Sequence, residues 1–394
     1  MNLAYLDAKV RRPLQAAAVA LLFTAAFARA DQTWIGPSGQ TNDWNTPANW
    51  SGNAVPSNTV ALITNGGTAL IGADAPQVAS IYAGCATAFS GAWGAVVQTN
   101  GAALVTGGRF PLLIGYNSTA NAGLYDLSGG RLTVTGNVFV GSSEAPDQSW
   151  GTGLLRVRGA GVMDVSGNEF FVAHYGRTGT VEVSDSGRLT LRGCAIRLGE
   201  GGAANVGTLT VSGGALSAPG IDAATEIEQV GERSAGRARV GVTGGALWLD
   251  GMTAGTGAAD IRLSGCTLGA QANNAVWSAP MALTNGAVTF FTGDQSGAAR
   301  INTASGVLSG NGSLVITNAG ALLFATSGAI PGAGASVTAN RGGAVASDGA
   351  YGTVTDWLNG GRLSPLSEGA LALTRDSSEN IDLTAAGGGL YTNL

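Results

Sequence analysis

Charged residues are scarce in this sequence, and lysine is almost absent. Only 11% of the 394 residues are charged, and Lys9 is the single lysine. Beyond residue 30 the chain has 16 arginines against 24 acidic residues, a net charge of −8. This balance, without a basic cluster, argues against nucleic acid or an anionic membrane as a partner. The 45% hydrophobic content excludes a disordered acidic tail and allows a large core.

Histidine and cysteine are too sparse to form most kinds of metal or redox site. His174 is the only histidine, and Cys85, Cys194 and Cys266 form no C-x-x-C motif. Cysteines this few and this far apart do not form a disulfide framework, so we expect buried apolar thiols. His174 has no second histidine and no nucleophile motif nearby, which predicts a surface turn residue rather than a general base. The sequence therefore predicts no metal site and no cofactor.

Long apolar runs are also missing, and the main candidate lies at the N-terminus. Basic residues between Lys9 and Arg12 precede an apolar stretch, Leu14 to Phe27, which ends in Ala28-Arg29-Ala30. This order is typical of a secretory signal peptide with an A-x-A cleavage site. The run is shorter than the roughly 20 residues that cross a bilayer, so no transmembrane segment is predicted. We assign residues 1–30 to the signal peptide and expect an exported protein, extracellular or associated with the cell surface.

Glycine, by contrast, is abundant, with 64 residues, and much of it belongs to a repeated unit. A glycine content this high without a three-residue period excludes collagen. Self-similarity at a period of 20–50 residues indicates a solenoid, in which one unit is too small to bury its own apolar face. The clearest units are GLYDLSGGRLTV from Gly123, GLLRVRGAGVMDV from Gly153, GTVEVSDSGRLTL from Gly179, GTLTVSGGALSA from Gly207 and ARVGVTGGALWL from Ala238.

Each unit predicts three short strands. Apolar and polar residues first alternate with period two, as in a strand with one buried face. A turn containing glycine then leads to a second strand and a third apolar stretch. The predicted inward pairs are Tyr125/Leu127, Leu155/Val157, Val181/Val183, Leu209/Val211 and Val240/Val242; second strands are predicted from Leu132, Val162, Leu189, Leu216 and Leu247, and third stretches from Asn137, Glu169, Ala195 and Ile227.

Two arrangements of these strands are compatible with the unit. Gly-Gly between two alternating runs is also a hairpin signal, and a string of hairpins would build an antiparallel barrel or sandwich. Parallel stacking in register instead places Arg156 between Asp126 and Glu182 on neighbouring rungs. Opposite charges across adjacent strands contribute about 0.2 to 1 kcal/mol, so this structural charge ladder favours parallel stacking. We therefore predict an all-β fold, a parallel β-helix with three strands per rung.

Several stretches resemble a known family of repeats. GTLTVSGGAL from Gly207, followed by an x-V-G or x-L-G strand and another G-T start, is similar to the repeats of secreted bacterial autotransporter-associated β-strand repeat proteins. The Trp- and Pro-containing segment 33–63 resembles their N-terminal segment, and segments 301–324 and 358–384 resemble their repeats. The resemblance implies a single-stranded, right-handed, pectate-lyase-like β-helix with a surface or matrix role. It carries over no catalytic residue.

Tryptophan is concentrated at the start of the predicted mature chain. Trp34, Trp44 and Trp50 are expected to form a cap that covers the open end of the solenoid and prevents edge pairing. The alternative is a glycan-stacking platform, because flat aromatic faces suit sugar rings. The predicted organisation is a signal peptide (1–30), an N-terminal cap with the first rungs (31–95) and β-helix repeats (96–394), which we expect to be truncated at the C-terminus.

These features predict a non-enzymatic, exported β-helical protein with a structural or adhesive role, similar to an autotransporter passenger. Parallel β-helices also include polysaccharide lyases and hydrolases, whose carboxylates converge on one face. The stacked outward positions run Asp126, Arg156, Glu182, Thr210 and Gly241, so no acidic ladder and no catalytic residue are predicted. A carbohydrate-active enzyme and a glycan-binding surface module are the alternatives. Extracellular glycans or other surface proteins are the expected partners.

Overall fold

The structure is a computed structural model that covers most of the chain after residue 30. The predicted signal peptide lies outside the described residues. The structure describes residues 31–85, 93–107, 110–116, 122–142, 151–175, 178–202, 204–224, 226–229, 232–318 and 320–324, and the strand segments 336–340, 344–347, 362–366, 370–373 and 389–392.

The fold is a right-handed parallel β-solenoid with three strands per rung, which confirms the predicted fold class. Three long sheets of 15, 11 and 11 strands run along the solenoid. Neighbouring strands in each sheet come from successive rungs, so the backbone hydrogen bonds run along the axis. Sheet 1 contains β1 (Gln32–Thr33), β3 (Val60–Ile63), β5 (Ser80–Ala83), β8 (Leu112–Ile114), β11 (Val138–Val140), β14 (Phe170–Val172), β17 (Ile196–Leu198), β20 (Ile221–Ala223), β25 (Gly251–Ala254), β28 (Ala275–Trp277), β31 (Ile301–Ala304), β34 (Ala321–Phe324), β36 (Ala344–Ser347), β38 (Ala370–Leu373) and β39 (Gly389–Thr392).

The other two sheets carry the first and second strands of the repeated unit. Sheet 2 holds the first strand of each unit: β2 (Thr41–Asp43), β4 (Thr68–Ile71), β6 (Gly94–Gln98), β9 (Ala122–Leu127), β12 (Thr152–Val157), β15 (Thr178–Ser184), β18 (Val206–Ser212), β23 (Arg237–Thr243), β26 (Ala258–Ser264), β29 (Met281–Leu283) and β32 (Leu308–Gly310). Sheet 3 holds the second: β7 (Ala102–Val105), β10 (Arg131–Val134), β13 (Val162–Val165), β16 (Arg188–Leu191), β19 (Ala215–Ala218), β24 (Ala246–Leu249), β27 (Thr267–Gly269), β30 (Ala287–Phe291), β33 (Ser313–Thr317), β35 (Ser336–Asn340) and β37 (Arg362–Leu366).

The remaining elements are short. An antiparallel hairpin, β21 (Glu226–Gln229) with β22 (Glu232–Ala235), stands outside the three sheets. Two 3-10 turns, Pro47–Asn49 and Ser51–Asn53, lie near the N-terminal end. Among the described residues, no helix has the length and hydrophobicity that a membrane crossing requires.

The register decides between the two predicted arrangements. Leu127 lies opposite Val157 in a parallel pair, so the antiparallel alternative is wrong. All ten predicted inward residues, from Tyr125 to Val242, are at most 1% exposed. They belong to one apolar core that continues through the rungs. Full burial of a Val or Leu side chain stabilises a fold by about 1.5–3 kcal/mol, so this column is a main source of stability.

The second strand of the unit from Gly153 begins at Val162, as predicted. Met163 is its buried residue and Val162 faces outward, because the turn at 158–161 is one residue longer than the corresponding turn at 128–130. One detail of the predicted strand pattern is wrong. The stretch from Ile227 is not the third strand of its rung. Residues 221–223 take that place between β17 and β25, and Ile227 lies in the hairpin.

Candidate functional site

The predicted charge ladder lies on the outer face of sheet 2. The register places Arg156 opposite Asp126 on one side and Glu182 on the other. The Arg156 Nε donates to Glu182 Oε2 at 2.7 Å. Asp126 instead accepts two hydrogen bonds from Arg158 in the following turn, at 2.8 and 2.9 Å. The structure therefore brings the three residues into one column but forms only one of the two expected ion pairs.

Two further carboxylates on the outer surface also lie beside cations. Asp164 pairs with Arg131 one rung away, and its other oxygen lies 3.8 Å from Arg192. Glu200 lies 3.7 Å from Arg197. The described residues contain no group of three His, Cys, Asp or Glu side chains that could hold a metal ion. These carboxylates are therefore arranged to neutralise nearby cations rather than to meet one another.

A column of aromatic rings covers the outer face of sheet 1. We call it the outer aromatic ladder; Phe139 and Phe171 stack at its centre with ring centroids 5.3 Å apart. Phe110 and Tyr116 pack against Phe139 at 5.5 and 6.1 Å. Leu113, Phe139 and Phe171 are at most 6% exposed, so this surface is a second, smaller core outside the solenoid. The third strand of these rungs is apolar on both faces, so alternation in the sequence does not show which of its residues, such as Phe139 and Phe171, face outward.

His174 lies at the end of the outer aromatic ladder. Its ring stacks on Phe171 with centroids 4.3 Å apart, and its Nδ1 lies 3.2 Å from Glu200 Oε2. The side chain is only 17% exposed, so the expected surface turn residue is in fact packed against neighbours. Sequence reasoning missed this pair. The available signal was the separation of 26 residues, close to one repeat, which also separates Arg156 from Glu182.

The three N-terminal tryptophans form a compact buried cluster. Trp34 and Trp44 each pack edge-to-face on Trp50, with centroids 4.9 and 4.8 Å apart. The Trp50 Nε1 donates to the Trp44 carbonyl oxygen at 2.7 Å. All three residues are 0% exposed and belong to the main core. A ring without exposed surface cannot stack on a sugar, so the glycan-stacking alternative has no support at these positions.

The cysteines are free and buried, as predicted. Burial raises the pKa of the Cys85 thiol to about 12 and that of the Cys266 thiol to about 11. The pKa of the Cys194 thiol is also raised, chiefly by burial. Since the thiolate is the nucleophilic form, these side chains are packing residues at neutral pH.

Comparison of the chain with known protein families, with curated proteins and with solved structures gives no match in any of the three. The resemblance noted in the sequence therefore extends to the parallel β-helix and no further.

Proposed function

We propose that this protein is a non-enzymatic β-helical rod that is exported by residues 1–30 and has a structural or adhesive role at the cell surface. The supporting observation is that the outer carboxylates form ion pairs with arginines of the same rod. Asp126 and Asp164 bind arginines 32 and 33 residues away, and Glu182 binds Arg156, 26 residues away. Each contact links neighbouring rungs or turns, so these charges hold the rod in register. A lyase or hydrolase would need its carboxylates to converge on a substrate.

The dimensions also suit a spacer or matrix component. Strands in a sheet lie about 4.8 Å apart, so the 15 strands of sheet 1 extend over about 67 Å from first to last. Lengthening such a rod requires only more rungs, because each rung contacts mainly its neighbours.

A deletion strain tests the proposal. Loss of the protein should weaken surface attachment or matrix cohesion, and the full chain should restore it. A chain without residues 1–30 should not, because the protein would stay inside the cell. Unchanged attachment and matrix in the deletion strain would contradict the proposed role.

Carboxylate variants separate this role from an enzymatic one. Glu182→Gln and Asp126→Asn keep the shape of each side chain and remove its charge, and both sites lie on the outer face of sheet 2. We expect either variant to restore attachment as well as the wild type does. A folded, exported variant that fails to restore it would favour a carbohydrate-active enzyme.

A further inference from the structure

The outer face of sheet 3 carries a groove that none of the predicted sites includes. Outward residues of successive strands form a single column in register, from Thr133 on β10 to Trp248 on β24. The groove has a volume of about 330 Å³. Its polar and aromatic lining consists of Arg188, Thr190, Ser217, Trp248 and Gln295.

Trp248 is fixed at one end of this groove. Gly269 is its neighbour on the next rung, and a Cβ there would lie 2.5 Å from the indole Cζ3, so the ring lies over the glycine. Phe291, one rung further, packs edge-to-face on the indole with centroids 5.8 Å apart. The indole is thus held on the outside of the rod, half-buried, by its packing against Gly269 and Phe291.

The loop at 292–300 forms the wall of the groove. It is the longest connection from sheet 3 to sheet 1 among the described rungs. Asp294 Oδ1 accepts hydrogen bonds from the backbone and hydroxyl of Ser296, at 2.8 and 2.5 Å, and from the Ala298 N–H at 3.0 Å. Asp294 also pairs with Arg300. This network orders the loop, so that Gln295 lines the same cavity as Ser217, three rungs back along sheet 3 from β30.

The charge of this face is opposite to that of the protein. Among the described residues that line the grooves of this face are three arginines, Arg131, Arg188 and Arg192, and one carboxylate, that of Asp164, in a chain with a net charge of −5. The register neighbours of Arg188 are Val162 and Ala215, neither of which carries charge. A second groove of about 230 Å³, lined in part by the other two arginines and Asp164, continues along the same face.

We propose that this face binds an acidic oligosaccharide. A sugar ring would stack on Trp248, because an indole face matches the apolar face of a pyranose. Thr190, Ser217 and Gln295 would hydrogen-bond the sugar hydroxyls, and Arg188 would pair with a carboxylate or sulfate group. The inference rests on the proposed surface role for its biological meaning and gives that role a ligand class. Single-stranded nucleic acid is less suited, because such binders use several stacking rings along a basic channel.

Binding by the purified full chain tests the proposal. Neutral, carboxylated and sulfated oligosaccharides are presented on an array, and the strongest ligand is then titrated in solution. Trp248→Ala should weaken binding at least tenfold for every ligand. Arg188→Gln should weaken binding of acidic ligands at least fivefold and change neutral ones less than twofold. Trp93→Ala is the matched control, because Trp93 is also exposed, at 38%, but lies outside the groove. The affinity of this variant should stay within twofold of the wild-type value.

The outcomes are separable from those of the deletion strain. Two results would contradict the groove as a binding site. The wild type binds no oligosaccharide, or a folded Trp248→Ala variant binds with wild-type affinity. Binding of single-stranded DNA but of no oligosaccharide would overturn the ligand class. If Trp248→Ala lowers the melting temperature, Ser217→Phe replaces it as the test variant. The phenylalanine fills the groove without removing the indole, and we expect it to weaken binding as strongly. Intact binding together with an unaffected deletion strain would overturn the surface role alone.

Discussion

Two amide side chains inside the rod differ in how their polar atoms are satisfied. Gln98 is fully buried; its Nε2 donates to the carbonyls of Gly101 and Arg131, both at 3.1 Å, and its Oε1 accepts from the Tyr125 hydroxyl at 2.8 Å. Asn302 is also fully buried, but neither Nδ2 nor Oδ1 has a partner among the described residues. An unsatisfied buried polar group costs about 1–3 kcal/mol. The two amides therefore affect stability with opposite signs.

Replacing each amide by leucine should reveal this difference. Asn302 stacks between Ala275 and Leu322, so Asn302→Leu continues an apolar column and should raise the free energy of unfolding by about 1–3 kcal/mol. Gln98→Leu should lower it by a similar amount, since the Tyr125 hydroxyl and two carbonyls lose their partner. Urea titration followed by circular dichroism measures both. A loss of stability in Asn302→Leu would show that the amide is satisfied by water.

The buried thiols predict how stability depends on alkaline pH. Burial raises the pKa of the Cys85 and Cys266 thiols from an ordinary value of 9.0 to about 12 and about 11. Unfolded thiols release their protons near pH 9, while the folded protein keeps them. The unfolded state then binds fewer protons, so stability falls as pH rises. The two protonated thiols make their full contribution to the free energy of unfolding below pH 9, and this contribution is lost between pH 9 and about 12.

The double variant Cys85→Ala/Cys266→Ala isolates this effect. The wild type and the double variant are each titrated with urea at pH 8 and at pH 10.5. We expect the wild-type midpoint to fall more between these pH values than the midpoint of the double variant, whatever the stability of the variant at pH 8. Equal falls would assign the alkaline loss to other groups.

At the scale of elements, one corner explains the glycine of the x-V-G motif. The chain leaves sheet 1 for sheet 2 through a residue with φ between 52° and 64° on six successive rungs. At Gly141 an added Cβ would lie 1.9 Å from the Thr178 carbonyl oxygen of the next rung. The x-V-G motif thus marks a corner that is left-handed and sterically tight. The six corner residues are Gly84, Gly115, Gly141, Ala173, Gly199 and Ala224.

Substitutions at this corner should differ sharply in cost. Gly141→Ala adds left-handed strain and a backbone clash, so we expect a loss on the order of 3 kcal/mol. Ala173→Gly relieves the same strain but increases unfolded-state entropy, so its net effect should stay within about 1 kcal/mol. Gly72→Ala is the control, because a Cβ there meets nothing within 4 Å. Urea midpoints measure all three; a Gly141→Ala protein as stable as the control would refute the steric explanation.

The success and the failures of strand prediction have one physical origin. Alternation identified residues such as Leu155 and Val157, because only one face of each strand meets the core. It did not show that Met163 rather than Val162 faces the core, because the sequence does not show how many residues a turn uses. It chose Ile227 over Ile221 for the same reason: two apolar stretches compete, and backbone pairing with neighbouring rungs decides between them.

At the scale of the whole molecule, the period predicts partners that lie one rung apart but not those brought together by loops. Arg156 and Glu182 follow from the repeat directly. The groove at Trp248 does not, because its wall comes from the loop around Gln295, two rungs further along sheet 3. The path of that loop depends on the hydrogen bonds of Asp294. A register table built from the sequence would still have shown that Trp248 has Gly269 as its neighbour, which leaves space for an outward ring.

The solenoid should tolerate removal of one complete rung but not of half a rung. Thr178 and Val206 occupy equivalent positions on β15 and β18, so deletion of residues 179–206 lets Thr178 replace Val206 and leaves all three ladders continuous. Because stability in a solenoid is a sum of units and nearest-neighbour interfaces, this protein should keep its strand content and melt cooperatively, with a melting temperature lower by a few degrees.

Deletion of 179–192 instead removes β16 and most of β15, which interrupts sheets 2 and 3 while sheet 1 continues. We expect this second protein to lose cooperative melting in circular dichroism and to become sensitive to protease. Equal damage from both deletions would mean that the rungs are not interchangeable units.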